Sequence, residues 1–119
     1  MSERDYLVYL DDIILSSSKI LKYTKGLTFE KFVRRGQTID AVIRNIEILG
    51  EAVLHLPAKV KITSKNVPWA KIVATRNKVI HEYFGVDLEL IWDVVKKHIP
   101  KLKMEAEIIL KKAEKASEN

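Results

Sequence analysis

The chain has no cysteine, which excludes a disulfide framework and every zinc site built on thiolates, and fits a reducing cytoplasm. It has no apolar run near the roughly 20 residues that a membrane helix needs, so no membrane association is expected. The first residues, Met1-Ser2-Glu3-Arg4-Asp5, are charged and lack the apolar centre of a secretion signal, and a cytoplasmic location is expected. Glycine is scarce, with 4 in 119 residues, and no glycine-rich phosphate loop is present. Strand-like alternation of useful length and internal repeats are also missing. With 3 prolines and 3 histidines, the chain has little turn chemistry and few groups that titrate near neutral pH.

What remains is 47% apolar and 31% charged, enough for one core in a single domain spanning residues 1–119. The net charge of +5 gives mild support for a polyanionic partner, and equally describes a solvated surface slightly rich in lysine. Apolar residues recur at three- and four-residue spacing from Tyr6 through Leu21, in a first helix of about residues 2–25 that Gly26 should end. Ser16-Ser17-Ser18 lowers helix propensity there without breaking it. Thr28 caps a short helix carrying Phe29, Phe32 and Val33, with Gly36 as its stop. A long helix is expected from Thr38 to Leu56, halted by Pro57, with Ile39, Val42, Ile43, Ile46, Leu49, Val53 and Leu56 on its main apolar face. Gly50 lies on that face and would admit a close helix contact. Ala41, Ile48 and Ala52 widen the apolar coverage, which suggests burial against the domain and a partner. Asp40, Glu47 and Glu51 line its polar side with Arg44 and His55.

Residues 58–67 read as a connection. A fourth helix should start near Pro68-Trp69 and stop near Phe84-Gly85, with glycine as a left-handed cap. Asp87 is a good N-cap for the last helix, which Pro100 should kink or interrupt, and residues 111–119 are expected to fray or be solvated. The expected architecture is all-α: an antiparallel bundle of four main helices plus one short helix.

The chemistry concentrates in Arg76-Asn77-Lys78-Val79-Ile80-His81-Glu82-Tyr83. At about 100° per residue, Lys71, Thr75, Lys78 and Glu82 share a polar face. Trp69, Ile72, Val73, Val79, Ile80 and Phe84 share an apolar one, with Arg76 and Tyr83 near its middle. Asn77 and His81 form a third stripe with Ala70 and Ala74, whose small side chains would admit another helix. Arg76 and His81 stand about 140° apart around the axis, so one helix makes a poor site from them. A second copy brought up by a two-fold axis would complete it. Asn77, one turn before His81, is placed to orient the imidazole.

RNA cleavage without a metal needs a base for the ribose 2′-OH, an acid for the leaving 5′ oxygen and a cation for the charge that builds on phosphate. Histidine and arginine supply these roles, and two protomers would supply two of each. Spacing alone does not require this, since a lone arginine and a lone histidine on a helix are more often structural. Arg76 would then pair with Glu47 or Glu51, His81 would be a packed imidazole and Tyr83 a core residue. His55 and His98 have no supporting constellation and read as surface or packing residues.

The whole motif, Arg76-x4-His81 with polar Asn77 and with Tyr83 two residues on, resembles the signature of HEPN-domain ribonucleases, in the narrower form of the HepT-like toxins. Pro68-Trp69, the run from Arg76 to Asp87 and Ile91-Trp92 are similar to that family's C-terminal half. Asp40-Ala41-Val42-Ile43-Arg44-Asn45-Ile46-Glu47 with Gly50-Glu51-Ala52 is similar to its central helix. The resemblance covers roughly residues 4–110. It implies a helical homodimer whose Arg-His pairs meet in a shared cleft, acting on RNA, whether tRNA or mRNA, as a metal-independent endoribonuclease without cofactors. Arg76, Asn77 and His81 would be its catalytic residues. It also implies a toxin–antitoxin pair in which an MntA-like nucleotidyltransferase antitoxin transfers AMP to Tyr83, adding bulk and negative charge beside Arg76 and His81. The glycine-serine and paired-aspartate site of such a transferase is absent from this chain. The alternative is a non-catalytic HEPN-like module that docks a nucleotidyltransferase or a nucleotide.

Overall fold

The computed structural model describes residues 6–82 and 85–118, and the described secondary structure is entirely helical and turn. The first helix, α1 (Tyr6–Thr24), buries Leu10, Ile13, Ser17, Ile20 and Thr24, a spacing of three and four that keeps one stripe inward. Ser16 and Ser17 of the serine run lie on that buried side. Ser18 turns its hydroxyl back to the Ile14 carbonyl at 2.8 Å, which gives it a partner within the helix. Gly26, at φ +75°, supplies the left-handed residue after α1, which β-carbon sterics deny to most residues. Thr28 caps α2 (Phe29–Phe32) as expected, its hydroxyl accepting from the Lys31 N–H at 3.2 Å.

Gly36 does not stop this element. It opens α3 (Gly36–His55), whose first external bond runs from the Ile39 N–H to the Arg35 carbonyl at 2.9 Å. The far end of α3 follows the proline rule. Leu56, directly before Pro57, is extended at ψ 135°, and the helix ends one residue earlier.

The stretch read as a connection holds a five-residue helix, α4 (Ala58–Ile62), too short for a periodic signal. Buried Val60 and Val67 anchor it. The Trp69 indole N–H, shared between the Lys61 and Ser64 carbonyls at 3.1 Å each, ties it to the next element. That element, α5 (Trp69–His81), begins at Trp69 after Pro68 but ends at His81, short of the expected Phe84-Gly85. The Gly85 N–H bonds the Glu82 carbonyl at 2.9 Å. Phe84 lies outside the described residues.

The last expected helix is two. Asp87 caps α6 (Leu88–Lys97), accepting from the Glu89 and Leu90 N–H groups at 3.0 and 3.2 Å. The chain then breaks at His98 and restarts as α7 (Ile99–Glu118). Pro100 has no N–H to offer Lys96 and its ring crowds that carbonyl, so it is accommodated only at a new helix's first turn. Helical backbone runs through 111–118, where fraying was expected, although Lys111, Lys112, Lys115 and Ala116 are exposed.

Helix α1 packs on α3 and α7, α3 packs on α5, and α6 bridges α5 to α7. Tyr9 near the start of α1 stacks on His55 at the end of α3, so these two helices run antiparallel. Phe32 of α2 packs against Trp92 of α6, ring centroids 4.9 Å apart, which pins the short helix over the core.

The break at His98 carries a pH dependence. Its Nε2 is buried and has no hydrogen-bond partner among the described residues. Burial, then the charge of Lys71, hold its pKa below the ordinary histidine value of 6.5, against a smaller opposing pull from Asp93. The unfolded chain therefore binds this proton more readily than the folded one. The contribution to stability is complete above about pH 6.5 and declines as pH falls from there towards the folded pKa. Urea denaturation between pH 7.5 and 5 is expected to show this decline, and His98→Phe to flatten it.

Candidate active site

Helices α3 and α5 meet where Gly50 faces Arg76. A β-carbon built on Gly50 would lie 2.5 Å from Arg76 Cγ and closer still to its Cβ, so the arginine stem lies directly on the glycine backbone. The guanidinium emerges beyond this contact. Its Nη2 reaches Glu51 Oε2 at 2.5 Å and its Nη1 donates to Asn77 Oδ1 at 2.8 Å. Its Nε is buried without a partner among the described residues. The Arg76 side chain is 22% exposed and that of Glu51 51%, which puts the pair at the lip of the protein and not in its core.

That lip borders a cleft of about 320 Å³ between three helices. Tyr9 and Asp12 come from α1, Arg44, Glu47, Ile48 and Glu51 from α3, and Arg76 and Ile80 from α5. Of the two carboxylates that the sequence offered to Arg76, Glu51 takes it. Glu47 sits 3.7 Å from Arg44 on its own helix. His55, read from the sequence as isolated, is a neighbour of the site. Its ring stacks on Tyr9 at 4.9 Å and 25°. Its Nδ1 lies 2.9 Å from the Glu51 carbonyl and 3.8 Å from Glu51 Oε1. The four-residue spacing of Glu51 and His55 on one helix was the available signal for this.

Asn77 and His81 are exposed on α5, as are Ala70 and Ala74 of the same stripe, and Ile80 beside them is 42% exposed. Thr75, assigned to the solvent face by periodicity, is buried instead, its hydroxyl donating to the Lys71 carbonyl at 2.8 Å. Helix α6 lies near that side of α5, where Asp93 is 3.9 Å from Lys71 and where Leu90 and Ile91 line a small pocket with Lys78, Val79 and Glu82. The structure brings Arg76 and Asn77 together and leaves His81 at the helix end. Among the described residues no hydrogen bond joins Asn77 to His81; Asn77 Oδ1 accepts from the arginine. Tyr83 lies outside the described residues. No group of three histidine, aspartate or glutamate side chains that could hold a metal ion occurs among the described residues, and no helix there is long and apolar enough to cross a membrane.

A family described as Ribonuclease HepT-like matches residues 13–109, from α1 into α7 and across both helices of the cleft. The chain belongs to the HepT-like ribonuclease family. Its similarity extends over whole relatives. A provisionally named RNase of Methanocaldococcus jannaschii is 39% identical over 109 residues, covering 92% of this chain and 100% of that protein. Another, from Caldanaerobacter subterraneus subsp. tengcongensis, is 39% identical over 104 residues, 87% of this chain and 93% of its own. A protein of Thermococcus cleftensis provisionally named ribonuclease HepT is 40% identical over 101 residues, 85% of this chain and 92% of its own. No solved structure matches the chain.

Within a HepT-like chain, this geometry presents the planar cation of Arg76 at the wall of a cleft and the exposed imidazole of His81 further along the same helix. The cation is pre-oriented, since Gly50, Glu51 and Asn77 fix its stem and both terminal nitrogens. A guanidinium so held matches the two-oxygen edge of a phosphate.

Proposed function

We propose that the protein is a metal-independent endoribonuclease, the toxin of a toxin–antitoxin pair, working as a homodimer. The observation that carries this reading is Arg76 held at a cleft wall on the same helix as exposed His81, in a chain of the HepT-like ribonuclease family. The named relatives are provisionally RNases, which favours RNA as the substrate. His81 takes or gives the proton of the transesterification, and Arg76 stabilises charge on the non-bridging phosphate oxygens. Asn77 belongs to the same site through the hydrogen bond that its Oδ1 accepts from Arg76, and its amide nitrogen keeps donors to offer the imidazole. The exposed stripe of Ala70, Ala74, Asn77 and His81, flanked by Ile80, is narrow enough for the same helix of a second copy to lie against it. That would bring the partner's His81 towards Arg76 and supply the acid and base that one protomer lacks.

Silencing by AMP transfer to Tyr83, two residues beyond His81, follows the same logic. A phosphate ester there carries negative charge to the arginine that would otherwise bind RNA. The catalyst would be a nucleotidyltransferase antitoxin, moving AMP from ATP to the tyrosine hydroxyl with release of pyrophosphate.

One observation favours a second reading, a non-catalytic module that docks such a transferase or a nucleotide. Arg76 already has a carboxylate and an amide on its two terminal nitrogens. The two readings separate in a cleavage assay on purified tRNA and mRNA with EDTA present. Wild type is expected to cut and leave 2′,3′-cyclic phosphate ends, and His81→Ala to lose about two orders of magnitude or more of rate at an unchanged fold. Equal cutting by both would remove His81 from the mechanism. No cutting by a protein whose intact mass shows no added AMP would favour the docking module.

A further inference from the structure

We infer that the cleft beside Arg76 is a nucleobase subsite, with Tyr9 as its stacking surface and Asp12 as an acceptor for a base that carries an exocyclic amine. The inference rests on the ribonuclease reading for its ligand, single-stranded RNA. Three observations support it.

The first is the aromatic pair. Tyr9 lines the cleft, and His55 backs it in a stacked arrangement with ring centroids 4.9 Å apart. His55 is itself fixed. A carbonyl only accepts, so the 2.9 Å contact to the Glu51 carbonyl makes Nδ1 the donor and locks the ring. A tyrosine supported from behind loses little freedom when a base stacks on its other side.

The second is distance along α3. His55 follows Glu51 by one helical turn, roughly 6 Å, and Glu51 holds Arg76. An aromatic surface and a phosphate-binding cation thus lie within the reach of one nucleotide, the combination that single-strand binding uses.

The third is the charge of the cleft. Asp12, Glu47 and Glu51 outnumber Arg44 and Arg76 among its charged walls. A groove that tracked several phosphates would be cationic. A pocket for one base is better served by carboxylates, which accept from amino groups such as cytosine N4. Adenine, cytosine and guanine carry such a group and uracil does not.

The experiment uses the full chain with His81→Ala, so that RNA is bound and not cut, and short single-stranded RNA containing 2-aminopurine. Binding is expected to quench 2-aminopurine fluorescence. Tyr9→Leu, which keeps apolar bulk on α1, should abolish the quench and weaken binding about tenfold. Tyr9→Phe should retain most of both. Oligo(A) and oligo(C) should bind more tightly than oligo(U), and Asp12→Asn should narrow that gap.

Unchanged quench and affinity in Tyr9→Leu would overturn the inference, as would a loss that merely follows a lowered melting temperature. Absence of RNA binding would overturn it too. The ribonuclease reading fails separately. If wild type does not cleave RNA yet the quench behaves as described, the subsite stands and the catalytic assignment falls. If wild type cleaves and Tyr9→Leu changes nothing, only the subsite falls.

Discussion

Arg76→Ala is expected to reduce RNA cleavage by a factor of 10² or more while lowering stability only modestly. The loss of rate is the usual consequence of removing one preorganised donor from the charge that develops in the transition state. The stability side follows from exposure. Had Arg76 been a core residue neutralising a buried carboxylate, its removal would cost about 3–5 kcal/mol, because the carboxylate would be stranded. Glu51 is 51% exposed, so it regains water when the arginine leaves. What is lost is a partly screened ion pair, about 0.2–1 kcal/mol, and the packing of the arginine stem on α3. A total of about 1–2 kcal/mol corresponds to a fall in melting temperature of several degrees. Arg76→Lys should recover the packing and the charge and still cleave poorly, because an ammonium lacks the planar two-pronged edge. Cleavage measured per folded molecule, beside thermal denaturation, decides the matter. Activity falling only as far as the folded fraction would make Arg76 a structural residue and support the docking module.

What the sequence made legible here was what periodicity and end chemistry control. The five expected helical segments are all present, with Thr28 and Asp87 capping where they should and Pro57 ending α3 on time. The misplacements have local causes. Five residues of α4 hold too little pattern to register, and Gly36, expected to stop α2, opens α3 instead; the interruption expected at Pro100 does occur, at His98. At the site, the contact between Gly50 and Arg76 was half visible, as a glycine on an apolar face with an arginine on another. Which carboxylate the arginine chose was open, because Glu47 and Glu51 share a side of α3 and only the approach of α5 distinguishes them. The stacking of Tyr9 on His55 was invisible for a different reason. It joins the start of one helix to the end of another, and no single-helix pattern contains that information. The same holds for Thr75, buried on a side of α5 that α6 approaches.

Gly50→Ala should be among the most damaging small substitutions in the chain, although intrinsic preference points the other way. In an exposed helix interior, alanine in place of glycine gains about 1 kcal/mol. At Gly50 the new methyl would meet the Cβ and Cγ of Arg76, the latter at 2.5 Å, well inside contact distance. Rotation about χ1 could move Cγ, but Cβ is fixed to the α5 backbone and makes the closest contact, so no arginine rotamer relieves the clash. The helices must separate, at the roughly 1–3 kcal/mol that overpacking costs, and the steric cost outweighs the propensity gain. The guanidinium moves with them, away from Glu51 and from the position at which it would meet phosphate. A displacement of 1 Å at a catalytic group can cost about 10² in rate. The expected result is therefore a lower melting temperature together with roughly a hundredfold loss of cleavage per folded molecule. Gly36→Ala, where an added Cβ meets nothing within 4 Å, is the control, and should leave melting unchanged or slightly raised. Adding Arg76→Ala to Gly50→Ala would not restore the lost stability, because alanine keeps the Cβ that makes the closest contact. A Gly50→Ala protein as stable and as active as wild type would mean that α3 and α5 pack less closely than described, and that Arg76 is not held by that contact.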